Sequence, residues 1–376
     1  MKKMILVIVV VAMAFFTAPG MAGEVTIYGW GDLSVDSVDN GVTRERDMVN
    51  NASNLGFRFE EQLSDRIKGF LQLEALFALD GEGYDNNDGS TSDPPFLASR
   101  NSGLGAISPF GTLIFGGSWN EPIKTSSGGL DPFVTRNGHW GPVINRGYRA
   151  KNQILYKSPN FKGLQLKLAK AFDEGDNESG SAAPGDLFSS DVYGGNLTYR
   201  NRKSPIGDVF IGVGYRNEED FRGFDYDNKA LRVSAGYGLR YNKNWFTRLG
   251  LIYSKDELTD DRLDVKALMG TLSHKMGKVQ LNFSYGQADD DISDLKQKQA
   301  AGGIDYNISK RFKIYLIYAV AKINEPSRAF YPSYGGSGRN EIDFLGPSPD
   351  KDEISSISFG IRYFFKGKKA YQISEN

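Results

Sequence analysis

The chain has 376 residues, a formal charge of −1, no cysteine, 40% hydrophobic residues and a mean hydropathy of −0.41. The missing cysteines exclude a disulfide framework and a lipid-modified cysteine. The hydropathy is too polar for a bundle of spanning helices, each of which needs about 20 consecutive apolar residues, and the charge balance argues against nucleic acid as a partner.

At the N-terminus Lys2 and Lys3 precede the apolar run Met4 to Phe16, and Gly20 and Ala22 supply small residues at the −3 and −1 positions of a cleavage site. This pattern predicts a secretory signal over residues 1–22. Cleavage after Ala22 removes two lysines and no acid, taking the formal charge from −1 to −3. No Pro/Gly/Ser linker divides the remainder, so residues 23–365 are read as one domain and 366–376 as a tail.

Along the mature chain apolar and polar residues alternate strictly, in "IKGFLQLEALF" from Ile67, "GLQLKLA" from Gly163, "VFIGVGYR" from Val209, "LRVSAGYGLRY" from Leu231, "VQLNFSYG" from Val279, "RFKIYLIYA" from Arg311 and "ISSISFGIRYFF" from Ile354. A period of two marks strands with two unlike faces. Phe70, Phe210, Tyr315 and Ile317 interrupt the polar face. The connections fall into two classes. Short ones lie at 63–66, 108–111, 158–163, 241–244, 275–278 and 309–311; long polar ones at roughly 37–50, 80–95, 120–148, 173–189, 217–228, 255–262, 287–296 and 324–351. The count between them is about sixteen strands, mostly of about 9 to 13 residues, and a tilted membrane-crossing strand needs about 9 to 11.

A soluble sandwich has shorter strands and no reason to segregate its connections by length. A transmembrane barrel explains both features, and by closing it satisfies every backbone group in hydrocarbon. The fold expected is therefore all-β, a transmembrane antiparallel barrel whose apolar residues face lipid and whose polar residues face a water-filled lumen. Tyr241, Trp245, Tyr253, Phe312, Tyr363 and Phe365, at strand ends, fit interfacial aromatic girdles.

Three stretches carry a family resemblance: "VTIYGWGDLSVD", "NASNLGFRFEEQLSDRIKGFLQLE", and "RNSGLGAISPFGTLIFGGSWNEP" followed by "NQILYKSPNFKGLQLKLA". In this order they resemble the general diffusion porins of Gram-negative outer membranes. The resemblance implies a sixteen-stranded barrel with short periplasmic turns and long external loops, usually a homotrimer among outer-membrane lipid and lipopolysaccharide. It implies passive diffusion of small hydrophilic solutes past a third loop folded into the lumen, with wall arginines facing acidic loop residues. By motif position Arg100 and Arg149 match two such arginines, and they are expected to bias the pore toward anions. Asn54 and Trp30 stand where two further basic residues would be, and Arg58, on the lumen face by parity, could replace the missing charge. Glu121 and Asp131 are the acidic candidates of the loop, alongside Lys124, Arg136 and Arg146. A substrate-preferring channel for sugar or anion, with Tyr28, Trp30 and Phe70 as a slide, and a non-conducting structural or adhesin barrel are the alternatives.

Enzyme chemistry has few parts here. His139 and His274 are the only histidines and no nucleophile-elbow, zinc or phosphate-loop motif occurs, so neither catalysis nor a cofactor is expected. "DNNDGSTSD" at 85–93 lacks the glycine and glutamate of a calcium loop, since Ser90 and Phe96 occupy those places. Acidic segments at 173–179, 254–261 and 288–291 are read as hydrated loops that could hold divalent cations bridging lipopolysaccharide phosphates. At the C-terminus, Lys366, Lys368 and Lys369 are costly on a lipid-facing strand. The wall is therefore expected to stop near Phe365, leaving 366–376 as a periplasmic appendage.

Overall fold

The computed structural model describes residues 20–374 apart from 82–99, 118, 146, 148, 151, 173–190, 205–206, 220–225, 261–262, 293–294 and 325–351. The 17 segments of its main sheet make sixteen antiparallel strands in a closed barrel. They are β1 Gly20–Asp39; β2 in two pieces, Arg44–Asn50 and Asn54–Ser64; β3 Ile67–Leu76; β4 Gly103–Ser108; β5 Gly111–Gly116; β6 Gln153–Lys157; β7 Leu164–Ala171; and β8 Val192–Ser204. β9 is Gly207–Glu218, β10 Asn228–Arg240, β11 Trp245–Leu258, β12 Asp264–Met276, β13 Val279–Asp290, β14 Lys296–Asn307, β15 Phe312–Ile323 and β16 Glu353–Ser374. Each strand pairs with its sequence neighbours, and β1 with β16 closes the circle. The sheet therefore has no edge across the membrane, as hydrocarbon requires.

The alternation resolves as expected. Phe359 is 57% exposed on the outer face whereas Ser358 beside it is 1% exposed. Tyr363 lies 6.2 Å from Phe312 and 6.5 Å from Phe365, an aromatic band at the short-turn end where Tyr241 and Trp245 are also exposed.

Two boundaries differ from expectation. The first long connection, 37–50, is a hairpin: β1 continues to Asp39 and pairs with Arg44–Asn50. Its charged side chains stand at the exposed rim, so the composition is that of a loop while the backbone is a ladder. β2 breaks at 51–53, where Ala52 has φ 56° and the Ser53 hydroxyl accepts the Asp32 N–H at 3.0 Å, filling the interrupted ladder. Second, the final strand does not stop at Phe365. It runs to Ser374 alongside β1, and within residues 23–39, the part of β1 expected to remain after cleavage, its last pair is Tyr371 opposite Gly23. Alternation turns Lys366 and Lys368 to the inner side, so the lipid penalty expected for them does not arise there.

Replacing the outward Phe359 by Arg near mid-strand is expected to cost about 2 to 4 kcal/mol in barrel unfolding, whereas the inward Thr198→Arg costs under about 1 kcal/mol. Urea unfolding in detergent or liposomes checks this; equal costs would mean the faces are not lipid and lumen.

Candidate functional site: a lumen narrowed by the third loop

The third long connection, L3, joins β5 to β6 through the barrel interior. Trp119–Asn120 pairs with Arg149–Ala150 at its root, and Pro122–Thr125 forms one helical turn. The rest has little regular structure, so side chains and wall contacts hold it. Leu130, Trp140, Val143 and Ile144 make an apolar cluster with inward-facing Phe210, Ile252, Val265 and Met269. Phe133 packs with Tyr315 and Ile317. These wall residues include three of the four that break the polar face in the sequence, and L3 supplies the reason: they are its seat, not lumen surface. Bare glycines complete it. A Cβ on Gly212 would lie 1.9 Å from the Ser126 carbonyl oxygen, and one on Gly236 2.6 Å from Leu130.

Polar contacts fix the tip of the loop. Arg136 donates to Asp305 at 3.0 Å, lies 4.7 Å over Tyr315, and shares Asp305 with Lys313. Burial opposes the Arg136 charge and the Asp305 carboxylate outweighs it, leaving its pKa above the ordinary arginine value. Asn137 donates to Asp36 at 2.7 Å and Ser358 at 2.6 Å. Arg362 is ion-paired with Asp32 and donates to the Thr135 hydroxyl at 3.0 Å. On the return path, Asn145 donates to Asp256 at 3.1 Å, and Arg232 donates to the Ile123 carbonyl at 3.2 Å.

L3 thus lies along β6–β16 and touches β1 at Asp36. Across from it the β1–β3 wall bonds mainly to itself. Arg100 is buried, its Nε 2.6 Å from Glu74 Oε1, and its guanidinium stands 5.3 Å over Trp30. Tyr28 donates to the same carboxylate at 2.9 Å. Arg58 donates to Glu60 at 2.6 Å and Gln72 at 2.9 Å and covers Phe70, 3.8 Å from the ring centre. Gln72 donates to the Asn101 carbonyl, and the Asn101 side chain accepts from the Asn120 backbone at 3.1 Å, tying this wall to the root of L3.

The sequence-derived site residues are therefore only partly brought together. Arg58 and Arg100 share the β1–β3 wall, with Arg149 at the loop root. Their acidic partners, Glu60 and Glu74, stand on the same wall. Glu121 is buried beside Arg216 of β9 at 3.7 Å, and Asp131 accepts the Phe133 N–H at 2.9 Å within the loop. Each of these contacts helps to hold L3 in place. His139 is a buried structural residue whose Nδ1 accepts the Gly141 N–H at 2.7 Å. Residues 85–93 and 173–179 and Arg146 lie outside the described residues. Arg136, Arg232 and Arg362 were missed as anchors because their partners are remote in sequence.

A closed barrel, greasy outside and polar inside, with a loop narrowing its lumen, defines a transmembrane β-barrel channel. A family model described as Gram-negative porin matches residues 9–325, and the chain belongs to that family. Outer membrane porin protein 32 of Delftia acidovorans is 26% identical over 379 residues, spanning 94% of this chain and 99% of that one. The anion-selective porin from Comamonas acidovorans has the same fold with a TM-score of 0.69 at 22% identity, covering 91% of this chain and 100% of the other. The trimer form of in-vitro folded OmpT from Vibrio cholerae matches with a TM-score of 0.63 at 15% identity, covering 91% and 99%. The protein is an outer-membrane porin.

Removing the tip anchors in Arg136→Met/Asn137→Ala is expected to leave a heat-resistant barrel, since the wall ladder is untouched, while single-channel records gain additional current levels. Breaking a buried charge pair costs about 3 to 5 kcal/mol, enough to free a loop segment. One unchanged current level would show that these contacts do not hold the tip.

Proposed function

We propose that this porin passes small hydrophilic solutes passively with a preference for anions. The observation that carries the reading is the pairing of Lys157 with Lys167 in directly facing positions of β6 and β7, both on the inner face, with Lys167 Nζ donating to the Thr125 hydroxyl of L3 at 2.8 Å. Like charges directly opposite destabilise a sheet, and a water-filled lumen that concentrates anions gives them a use. Nearby, Asp208 is shared by Arg200 at 2.9 Å and Arg248 at 3.4 Å, leaving that group with a net positive charge. Arg58, Arg100 and Arg149 form the wall side of the constriction. Arg58 and Arg100 are paired with wall carboxylates, so they shape and polarise the passage more than they charge it.

The short turns face the periplasm and the long loops the exterior, the signal segment is cleaved after Ala22, and the barrel assembles as a homotrimer. The trimeric Vibrio relative and the secretory pattern support these points.

Lys157→Glu/Lys167→Glu is expected to lower the chloride-over-potassium permeability ratio severalfold, read from the reversal potential in a salt gradient across a planar bilayer. A ratio equal to that of the wild type, in a variant that still forms heat-resistant barrels, would remove the anion preference from these residues.

A further inference from the structure

β1 is paired on both sides toward the short-turn end, although β15, the other neighbour of β16, ends early. On one side the second piece of β2 accompanies it down to Gly23, opposite Glu61. On the other, β16 meets β15 only as far as Tyr363 opposite Phe312, with a last bond from the Phe364 N–H to the Arg311 carbonyl at 2.8 Å. Phe365 faces Gly29. If the chain stopped at Phe365, the β1 backbone from Glu24 to Tyr28 would present an open edge that no other described residue reaches. Instead Lys366 to Ala370 pair with Tyr28 to Glu24 in unbroken register.

Parity sets what this stretch does. The Phe365 ring lies on the outer face, where a Cβ on Gly29 would come within 2.7 Å of it. Gly367 and Lys369 share that face. Lys366 and Lys368 share the inner face with Arg362, and Lys368 is ion-paired across the seam with Glu24. The row of facing residues through Lys366 continues to Tyr28, Gly56 and Glu74, so it leads directly into the wall that carries Arg100.

We propose that residues 366–370 are a working part of the pore: they seal the β1 edge and place a cationic collar, beside the Tyr28–Glu74–Arg100 wall, that draws small anions through the short-turn mouth, its net charge coming from Lys366 because Lys368 shares its own with Glu24. The collar rests on the anion preference proposed above; the seal does not.

Three variants of the full-length mature chain, refolded in detergent so that cellular assembly factors play no part, test both halves. Lys366→Glu/Lys368→Glu is expected to keep the heat-resistant barrel and to lower the chloride-over-potassium ratio about twofold, as reversing two charges in a reduced dielectric would. Lys369→Glu, on the outer face, leaves that ratio unchanged. Deletion of 366–376 is expected to lower the temperature at which the folded band is lost, or to prevent folding. A ratio unmoved by Lys366→Glu/Lys368→Glu, while Lys157→Glu/Lys167→Glu does move it, overturns the collar alone; if neither moves it, the anion preference itself fails. A deletion variant with wild-type heat resistance overturns the seal.

Discussion

Every feature of this porin depends on the β1–β16 ladder, because in hydrocarbon an unpaired backbone group costs several kcal/mol and a sheet is admissible only if it closes. Closing sixteen tilted strands fixes a stagger between first and last. Part of that stagger shows at the seam: β15 ends opposite Tyr363, which faces Gly31, while β2 accompanies β1 to Gly23. A barrel that closes this way leaves a step in its rim. The length of β16 follows from that step as much as from any property of its own sequence.

Closure also creates an interior that cannot be left as it is. A barrel of this size encloses more cross-section than a size filter admits, and L3 fills part of it. Because one helical turn and a two-residue pairing are the only regular structure among the loop's described residues, its backbone groups and charges find partners on the wall. Arg136, Arg232 and Arg362 supply them, while glycines at Gly212 and Gly236 let the loop lie flat against the sheet. Buried ion pairs are weak evidence for stability as such. Their effect here is to give the loop a single position.

The barrel was legible in the sequence because its two signals, alternation and the segregation of connections by length, are local and repeat sixteen times. The first hairpin was misjudged because Arg44 to Asp47 are charged where the strand leaves the membrane. The last strand reads as ending at Phe365 because three lysines follow it, whereas alternation turns two of them, Lys366 and Lys368, inward and leaves only Lys369 on the outer face. For the site, Arg58 and Arg100 were found by parity and motif, but their partners are set by folding: Glu74 lies 26 positions from Arg100, and Asp305 lies 169 from Arg136. The seat of L3 did leave a trace, since Phe210, Tyr315 and Ile317 are apolar on a face that should be polar. Misplaced apolar residues on the lumen face of such a chain mark where a loop comes down.

The distribution of partners decides where selectivity arises. An arginine 2.6 Å from a carboxylate acts on a passing ion as a dipole, whose field falls faster with distance than that of a net charge, and both Arg100–Glu74 and Arg58–Glu60 are of this kind. They give the narrow passage a fixed, hydrated, polar surface with little net sign. Two lysines facing each other across β6 and β7 are not cancelled in this way. On the reading proposed above, the constriction that sets size and the residues that set sign are adjacent but separate, and motif arginines paired with carboxylates on their own wall carry little of the sign.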